Sequence, residues 1–250
     1  MKTKSRCLGF STGSIYKLPI SLEEKLVLCG QISTAGVEIC FNSTDQVLNY
    51  KHSSEIQNLA KSFDYLSIHA PSADIRYSKN EVSKTILSRL EEIIQATRAK
   101  SVVFHPDIID DVGLLLKSVL PVAIENMDKQ KNAFKRPSEI AKLFANTNFG
   151  FVLDIQHSFE NDPSISLIKE FLDMAGNRLT HCHISGSSLT ELHLPIHMAD
   201  NQKTITSFIE TLPDVPLLNE GTFPLKEKHE VLEDMKTELS FLQFHNFLKL

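Results

Sequence analysis

Seven side chains able to bind a metal ion or move a proton recur at one kind of position in this chain. Glu38, His69, His105, Glu125, Asp154, His183 and Glu220 each stand in or close to the end of a short apolar run. A carboxylate that ends a buried apolar segment is costly unless a cation or a hydrogen-bond donor meets it. One such carboxylate alone reads equally well as a structural salt bridge; the recurrence favours ligation. A mixed imidazole and carboxylate set suits Zn²⁺, Mn²⁺ or Fe²⁺ better than Mg²⁺, which prefers oxygen and water. Such an ion polarises a carbonyl or makes a hydroxide nucleophile. The expected cofactor is therefore a divalent metal, Zn²⁺ or Mn²⁺.

Ligands spread from residue 38 to residue 220 meet only if the runs that carry them converge. The runs read as strands at 7–11, 36–41, 65–69, 101–105, 121–126, 149–154, 179–184 and 215–220. Helical signals separate them. Ser21 and Glu24 form a capping-box pattern. Asn80 caps a helix with Val82, Ile86, Leu90, Ile93 and Ile94 at helical spacing. Asp162-Pro163 fits a cap followed by proline at the first helical position, opening a helix to about 175. Further helices are expected at 53–63, 109–118, 138–146, 201–212 and 226–248. Strands alternating with helices over 250 residues, without a linker or low-complexity segment, predict a single (β/α)8 TIM barrel domain over 1–250. The strand C-termini of that fold share one active-site face. A doubly wound open sheet fits the alternation too, but it would gather its ligands at one switch point.

Period-two geometry puts His181 and His183 on one strand face and Cys182 on the other. Glu38 points inward if Val37 and Ile39 face the helices, where it tunes the site, bonds a substrate hydroxyl or serves structure alone. His157 follows Asp154 by three residues, and His193 lies just beyond a strand end. The segment after 121–126 carries Lys129, Lys131, Lys135 and Arg136, with Phe134 beside them. This cluster would bind a phosphate or is simply a solvated loop. His52, His229 and His245 fall in helical stretches and read as surface residues, whereas His197 has no clear place. Cys7, Cys29, Cys40 and Cys182 form no CxxC pair and read as reduced thiols, a ligand role for Cys40 or Cys182 being the lesser alternative.

The formal net charge is -5 and the pI about 6.1, which gives no global basic field for nucleic acid. No apolar run approaches the roughly 18 or more residues of a membrane span. The opening MKTKSRCLGF has no long apolar stretch or cleavage site, so a cytoplasmic protein is expected.

The motifs SIHAP, VFHP, AIEN, LDIQH, HCHISGS, ELHLPI and LLNE, spread from GFSTGS (9–14) to LNEGTF (218–223), resemble the xylose isomerase-like barrel superfamily. That group, also called AP endonuclease family 2, includes ketose 3-epimerases and endonuclease IV. The epimerase pattern implies one metal on Glu125, Asp154, His183 and Glu220, with Glu125 and Glu220 as acid and base and His157 at the substrate. The endonuclease IV pattern implies three zincs and adds His69, His105, His157, Glu191 and His193, Glu191 standing where the family has Asp. Ser72 replaces a DNA-contacting Tyr of that pattern, and the loop 42–50 has no Arg or Lys. ENMDKQK and ELHLPIHMAD also depart from it. The leading expectation is thus a metal-dependent isomerase or epimerase acting on a small sugar, sugar phosphate or related hydroxycarbonyl compound by proton transfer. Substrate contacts are expected at Glu38, His181, Lys129 and Lys131. The alternatives are a multi-zinc abasic-site endonuclease, whose partner is nucleic acid, and a non-catalytic metal-binding protein. The small-molecule reading is compatible with a homo-oligomer.

Overall fold

The computed structural model describes residues 6–51 and 53–246. Eight parallel strands close into a barrel in sequence order. They are β1 (Leu8–Ser11), β2 (Gly36–Cys40), β3 (Tyr65–His69), β4 (Ser101–Phe104), β5 (Val122–Glu125), β6 (Gly150–Asp154), β7 (Leu179–Ile184) and β8 (Leu217–Asn219). The helices are α1 (Leu22–Ile32), α2 (Thr44–Asn49), α3 (Ser54–Lys61), α4 (Glu81–Thr97) and α5 (Val112–Leu116), then α6 (Pro137–Phe144), α7 (Ile155–Asn161), α8 (Ser166–Ala175), α9 (Gln202–Ile209) and α10 (Lys228–Asn246). None is long and apolar enough to cross a membrane among the described residues.

Alternation along each strand divides two cores. Val37, Ile39, Ile68, Val102, Phe104, Ile124, Phe151, Leu153, Cys182 and Ile184 are buried in the main apolar core beneath the helices. Val103, Ala123 and Val152 form a separate buried cluster. They share strand parity with the ligand candidates His105, Glu125 and Asp154, which puts them inside the barrel.

Local signals explain most helix starts. Ser21 and Glu24 make the reciprocal capping box of α1. The Asn80 side chain accepts from Ser83 N at 2.7 Å to open α4, which buries Ile86, Leu90 and Ile93 and ends at Arg98 in the left-handed region. Two helices lie where none is expected. α2 fills the loop after β2, and α7 begins directly on β6 with Asp154 as its cap. Asp162 consequently ends α7 instead of opening α8: its N–H donates to Ser158 O, and its side chain accepts from Ser164 N. β8 is shorter than expected, so Glu220 stands just past its end, as His105 does past β4. The helix over 109–118 shrinks to α5, and the far end of the last helix lies outside the described residues, as does His52.

The pairing of β6 with β7 shifts register between Phe151 and Val152, where Leu179 to His181 on β7 spans a single step on β6. This irregularity brings His181 opposite Val152 and His183 opposite Asp154. Bulges of this kind commonly re-aim side chains beside active sites.

Candidate metal centre

Three donor groups converge at the C-terminal mouth of the barrel. The first is His69, His105 and Glu125; the second Glu125, Asp154, His183 and Glu220; the third Asp154, His157 and His193. Glu125 and Asp154 each belong to two groups, so the three are joined. Glu125 Oε1 lies 2.8 Å from His183 Nδ1, and its Oε2 lies 3.1 Å from His105 Nε2 and 3.5 Å from His69 Nε2. Glu220 Oε2 is 3.2 Å from His183 Nδ1. Asp154 divides its oxygens: Oδ1 caps α7 by accepting from His157 N at 2.7 Å, while Oδ2 has no hydrogen-bond partner.

The imidazoles are held from behind. His69 Nδ1 is 2.9 Å from Ala70 O, and His157 Nδ1 is 2.8 Å from Asn126 O, so in each ring Nδ1–H donates to the backbone and Nε2 is the nitrogen left for an ion. His193 Nδ1 is 3.1 Å from Ser185 Oγ. Metal-binding histidines are typically anchored in this way through their second nitrogen. His193 also sits at φ 53°, a left-handed conformation uncommon for a side chain of its size.

Electrostatics bind the group tightly. Burial pushes the carboxyls of Glu38 and Glu125 up, but the charge of His183 and hydrogen bonds from neighbouring imidazoles hold both well below the usual carboxylate range. Burial opposes charge on His69, yet its hydrogen bond to Glu125 and the nearby carboxylates raise it to about 9. His157 reaches about 9 against the same burial penalty, chiefly through Asp154 and Glu125. Burial pushes Glu220 to about 7 despite His183. Burial lowers His105 and His193.

These residues fit divalent cations. Glu125 Oε2 and Asp154 Oδ2 are buried and lack a conventional hydrogen-bond partner, and both point into joined groups of nitrogen and oxygen donors. Nitrogen and carboxylate donors with no thiolate suit zinc or manganese. The cysteines are all free, and none contributes to a converging donor group among the described residues.

Not every expected site residue joins in. Glu191 is exposed, its backbone tied into a turn with Ser188, and the third carboxylate-bearing group takes Asp154 instead. Glu38 and His181 have 0% exposure, which leaves them no surface with which to meet a substrate. They lie on the inner side of His183, and with it form a fourth cluster of donors. Lys129 is exposed on the loop after β5, while Lys131 is held by Asp107 Oδ2 at 3.0 Å. His197, which the sequence left unplaced, pairs with the buried Glu238 of α10 at 2.6 Å. His229 is exposed, and His245 packs on Phe241 and Phe244.

A scan of protein-family models and a search of curated proteins find no match. Solved structures do match. A D-tagatose 3-epimerase-like protein aligns at 16% identity over 95% of this chain and 98% of its own, with a TM-score of 0.65. Endonuclease IV from Thermus thermophilus aligns at 16% identity over 94% of this chain and 99% of its own, with a TM-score of 0.64. A xylose isomerase domain-containing protein from Salmonella typhimurium aligns at 14% identity, covering 97% and 99%, with a TM-score of 0.59. These likenesses show the fold, a TIM barrel shared with these proteins. At such identities the likeness carries the fold and not the reaction, and an epimerase-like protein and a nuclease resemble this barrel about equally.

Proposed function

We propose that this xylose isomerase-like barrel is a multi-metal phosphodiesterase, with zinc the best-fitting ion. The observation that carries the reading is the sharing of Glu125 and Asp154 among three donor groups. A single-metal proton-transfer enzyme needs Glu125 to keep an oxygen for the substrate. Here Oε1 faces His183 and Oε2 faces His69 and His105. The one-metal reading also gives His69, His105 and His193 nothing to do.

His69, His105 and Glu125 would hold one ion, Glu125, Asp154, His183 and Glu220 a second, and Asp154, His157 and His193 a third. Bound ions at such a site neutralise charge on a phosphoryl group and make water a nucleophile. The chain itself supplies rigidity and exclusion. Backbone carbonyls at Ala70 and Asn126 fix two rings, and the Asp154 cap fixes the start of α7. Val103, Ala123 and Val152 fill the barrel below, so a substrate approaches from the C-terminal mouth alone. Held donors that need no reorganisation are the main source of such catalysis.

The second reading keeps the proton-transfer chemistry. Glu125 and Glu220 both flank His183 Nδ1, at 2.8 and 3.2 Å, as a pair of acid and base residues around one metal would. The test is hydrolysis of bis(p-nitrophenyl) phosphate and nicking of abasic duplex DNA by zinc-loaded protein. Both are expected to be lost in His69→Ala and His105→Ala. One ion per chain, ketose epimerisation that survives both substitutions, and no phosphodiester cleavage would reverse the order of the two readings.

A further inference from the structure

His183 presents its two nitrogens to two different environments. Nδ1 faces the mouth of the barrel, 2.8 Å from Glu125 Oε1 and 3.2 Å from Glu220 Oε2. Nε2 faces the interior, 3.2 Å from Glu38 Oε2 and 3.2 Å from His181 Nε2. Glu38 Oε2 also accepts from Ser67 Oγ at 2.8 Å and lies 3.6 Å from His181 Nε2. Behind His181, its Nδ1 is 2.9 Å from the Tyr65 hydroxyl, which in turn lies 3.1 Å from Ser101 Oγ. A polar chain thus crosses the barrel interior from β7 to β2, β3 and β4, beside the apolar filling of Val103, Ala123 and Val152.

A carboxylate is an expensive way to fill that space, since barrel interiors are ordinarily packed with branched apolar side chains. Glu38 is not fully satisfied there either: Oε1 has no hydrogen-bond partner. Its other oxygen is concentrated on Ser67 and the two histidines. His181 Nδ1 also lies 3.1 Å from Thr180 Oγ1, whose hydroxyl donates to Phe151 O, so Nδ1–H donates to Thr180 and Tyr65 and His181 Nε2 keeps its lone pair toward His183 Nε2. Glu38 Oε2 and His181 Nε2 then both face His183 Nε2 as acceptors, at 3.2 Å each, and with the Glu38 charge they draw the His183 proton to Nε2.

We infer that Glu38, braced by His181 and Tyr65, is a positioning residue that keeps the His183 proton on Nε2 and so presents Nδ1 as the metal-binding nitrogen. This rests on the metal reading proposed above. A carboxylate bonded to the far nitrogen of a ligating histidine fixes the ring and strengthens it as a donor, and removal of such a partner weakens metal binding by about 10–100-fold. The sequence expectation of substrate contact at Glu38 and His181 is replaced by control of the ligand.

The experiment compares wild type, Glu38→Gln and Tyr65→Phe. Zinc affinity is measured by competition with a chromophoric chelator, and the Co²⁺-substituted proteins are compared by visible absorption. Circular dichroism and thermal melting check that each variant folds. Glu38→Gln, which keeps the shape and removes the charge, is expected to weaken one bound equivalent by about 10–100-fold and to move the Co²⁺ bands. Tyr65→Phe, two hydrogen bonds away from His183, should shift both in the same direction by less, and it keeps the idea testable should Glu38→Gln fail to fold. Wild-type affinity and spectrum in the folded variants would overturn the inference. So would loss of one complete equivalent in His181→Ala with the rest unchanged, since Glu38 and His181 would then ligate an ion of their own. Wild-type protein that binds no zinc would instead overturn the metal reading itself.

Discussion

Glu125 shows why the charge state of this centre depends on what it holds. Without an ion, its two oxygens meet imidazoles on both sides, and His69 and His157 are raised to about 9 from an ordinary value of 6.5. A folded-state value above the unfolded one means stabilisation that is complete below pH 6.5 and lost as the pH climbs through about 9. An ion needs the same nitrogens deprotonated, so its binding releases protons and tightens over that same range. Chelated protein should therefore lose thermal stability between pH 6.5 and 9, while the increase in Tm on adding zinc should grow. Melting curves with and without chelator across that range check it; parallel pH profiles would refute it. His193 offers a second prediction. Its left-handed backbone costs about 1–2 kcal/mol in an L-residue, a strain found mostly where function requires it. His193→Gly should leave the metal-free fold at least as stable as wild type in urea titration and should abolish binding at the group it shares with Asp154 and His157. A large loss of stability with unchanged metal content would assign His193 a structural role.

Beyond the strands, the converging donors come from the loops after β4, β7 and β8 and from α7. Gly186 and Leu194 exchange backbone hydrogen bonds of 2.8 Å, which folds the loop after β7 back on itself and brings His193 over the barrel. The Thr222 N–H from the loop after β8 donates to His193 O. On α10, the fully buried Glu238 accepts from Ile196 N, from His197 N and from Asn219 Nδ2, the last beside Glu220. Gly221 makes the packing of these loops possible: a Cβ there would stand 2.5 Å from Pro195 N and 2.6 Å from Leu194 O. Those are backbone atoms that cannot rotate aside. Gly221→Ala should thus cost about 1–3 kcal/mol through overpacking and should weaken metal at the groups of His193 and Glu220, sparing that of His69 and His105. Urea denaturation and metal analysis of the variant measure both effects; wild-type values would mean that the loops yield without disturbing the ligands. The same elements mark where the sequence stopped being informative. The strands were legible because apolar runs alternate with capped helices, and most of the side chains that converge as donors because they end those runs. Glu191 was misplaced because its loop is shaped by Gly186, Leu194 and Gly221, contacts between segments far apart in the chain. The register shift on β7 and the cap role of Asp154 likewise depend on neighbours that no local pattern reveals. Glu38 was legible as an inward acid, but its bond to His183 spans the barrel.

At the scale of the whole molecule, charge bears on the choice of phosphodiester. The chain carries a net charge of -5, so it does not attract a polyanion from a distance. Any nucleic acid must be held by contacts close to the barrel mouth. The basic residues after β5 are Lys129, Lys131, Lys135 and Arg136, and Asp107 already engages Lys131. Arg76, after β3, is paired with Asp110. Each phosphate neutralised on duplex DNA contributes about -0.9 to the slope of log affinity against log salt. Four such contacts would give a slope of roughly -3.6, and loss of the engaged lysine would make it shallower. Duplex DNA binding by the His69→Ala variant is therefore expected to be weak and to show a slope no steeper than about -4, as read by fluorescence anisotropy from about 50 to 200 mM salt. Substituting Lys129 and Lys135 together with Ala should flatten it by nearly 2. A steeper slope would reveal a basic surface beyond the loop after β5. Salt-independent affinity would separate the metal centre from nucleic acid and direct the search to small phosphodiesters, which three joined donor groups at the end of a closed barrel can process without a long binding track.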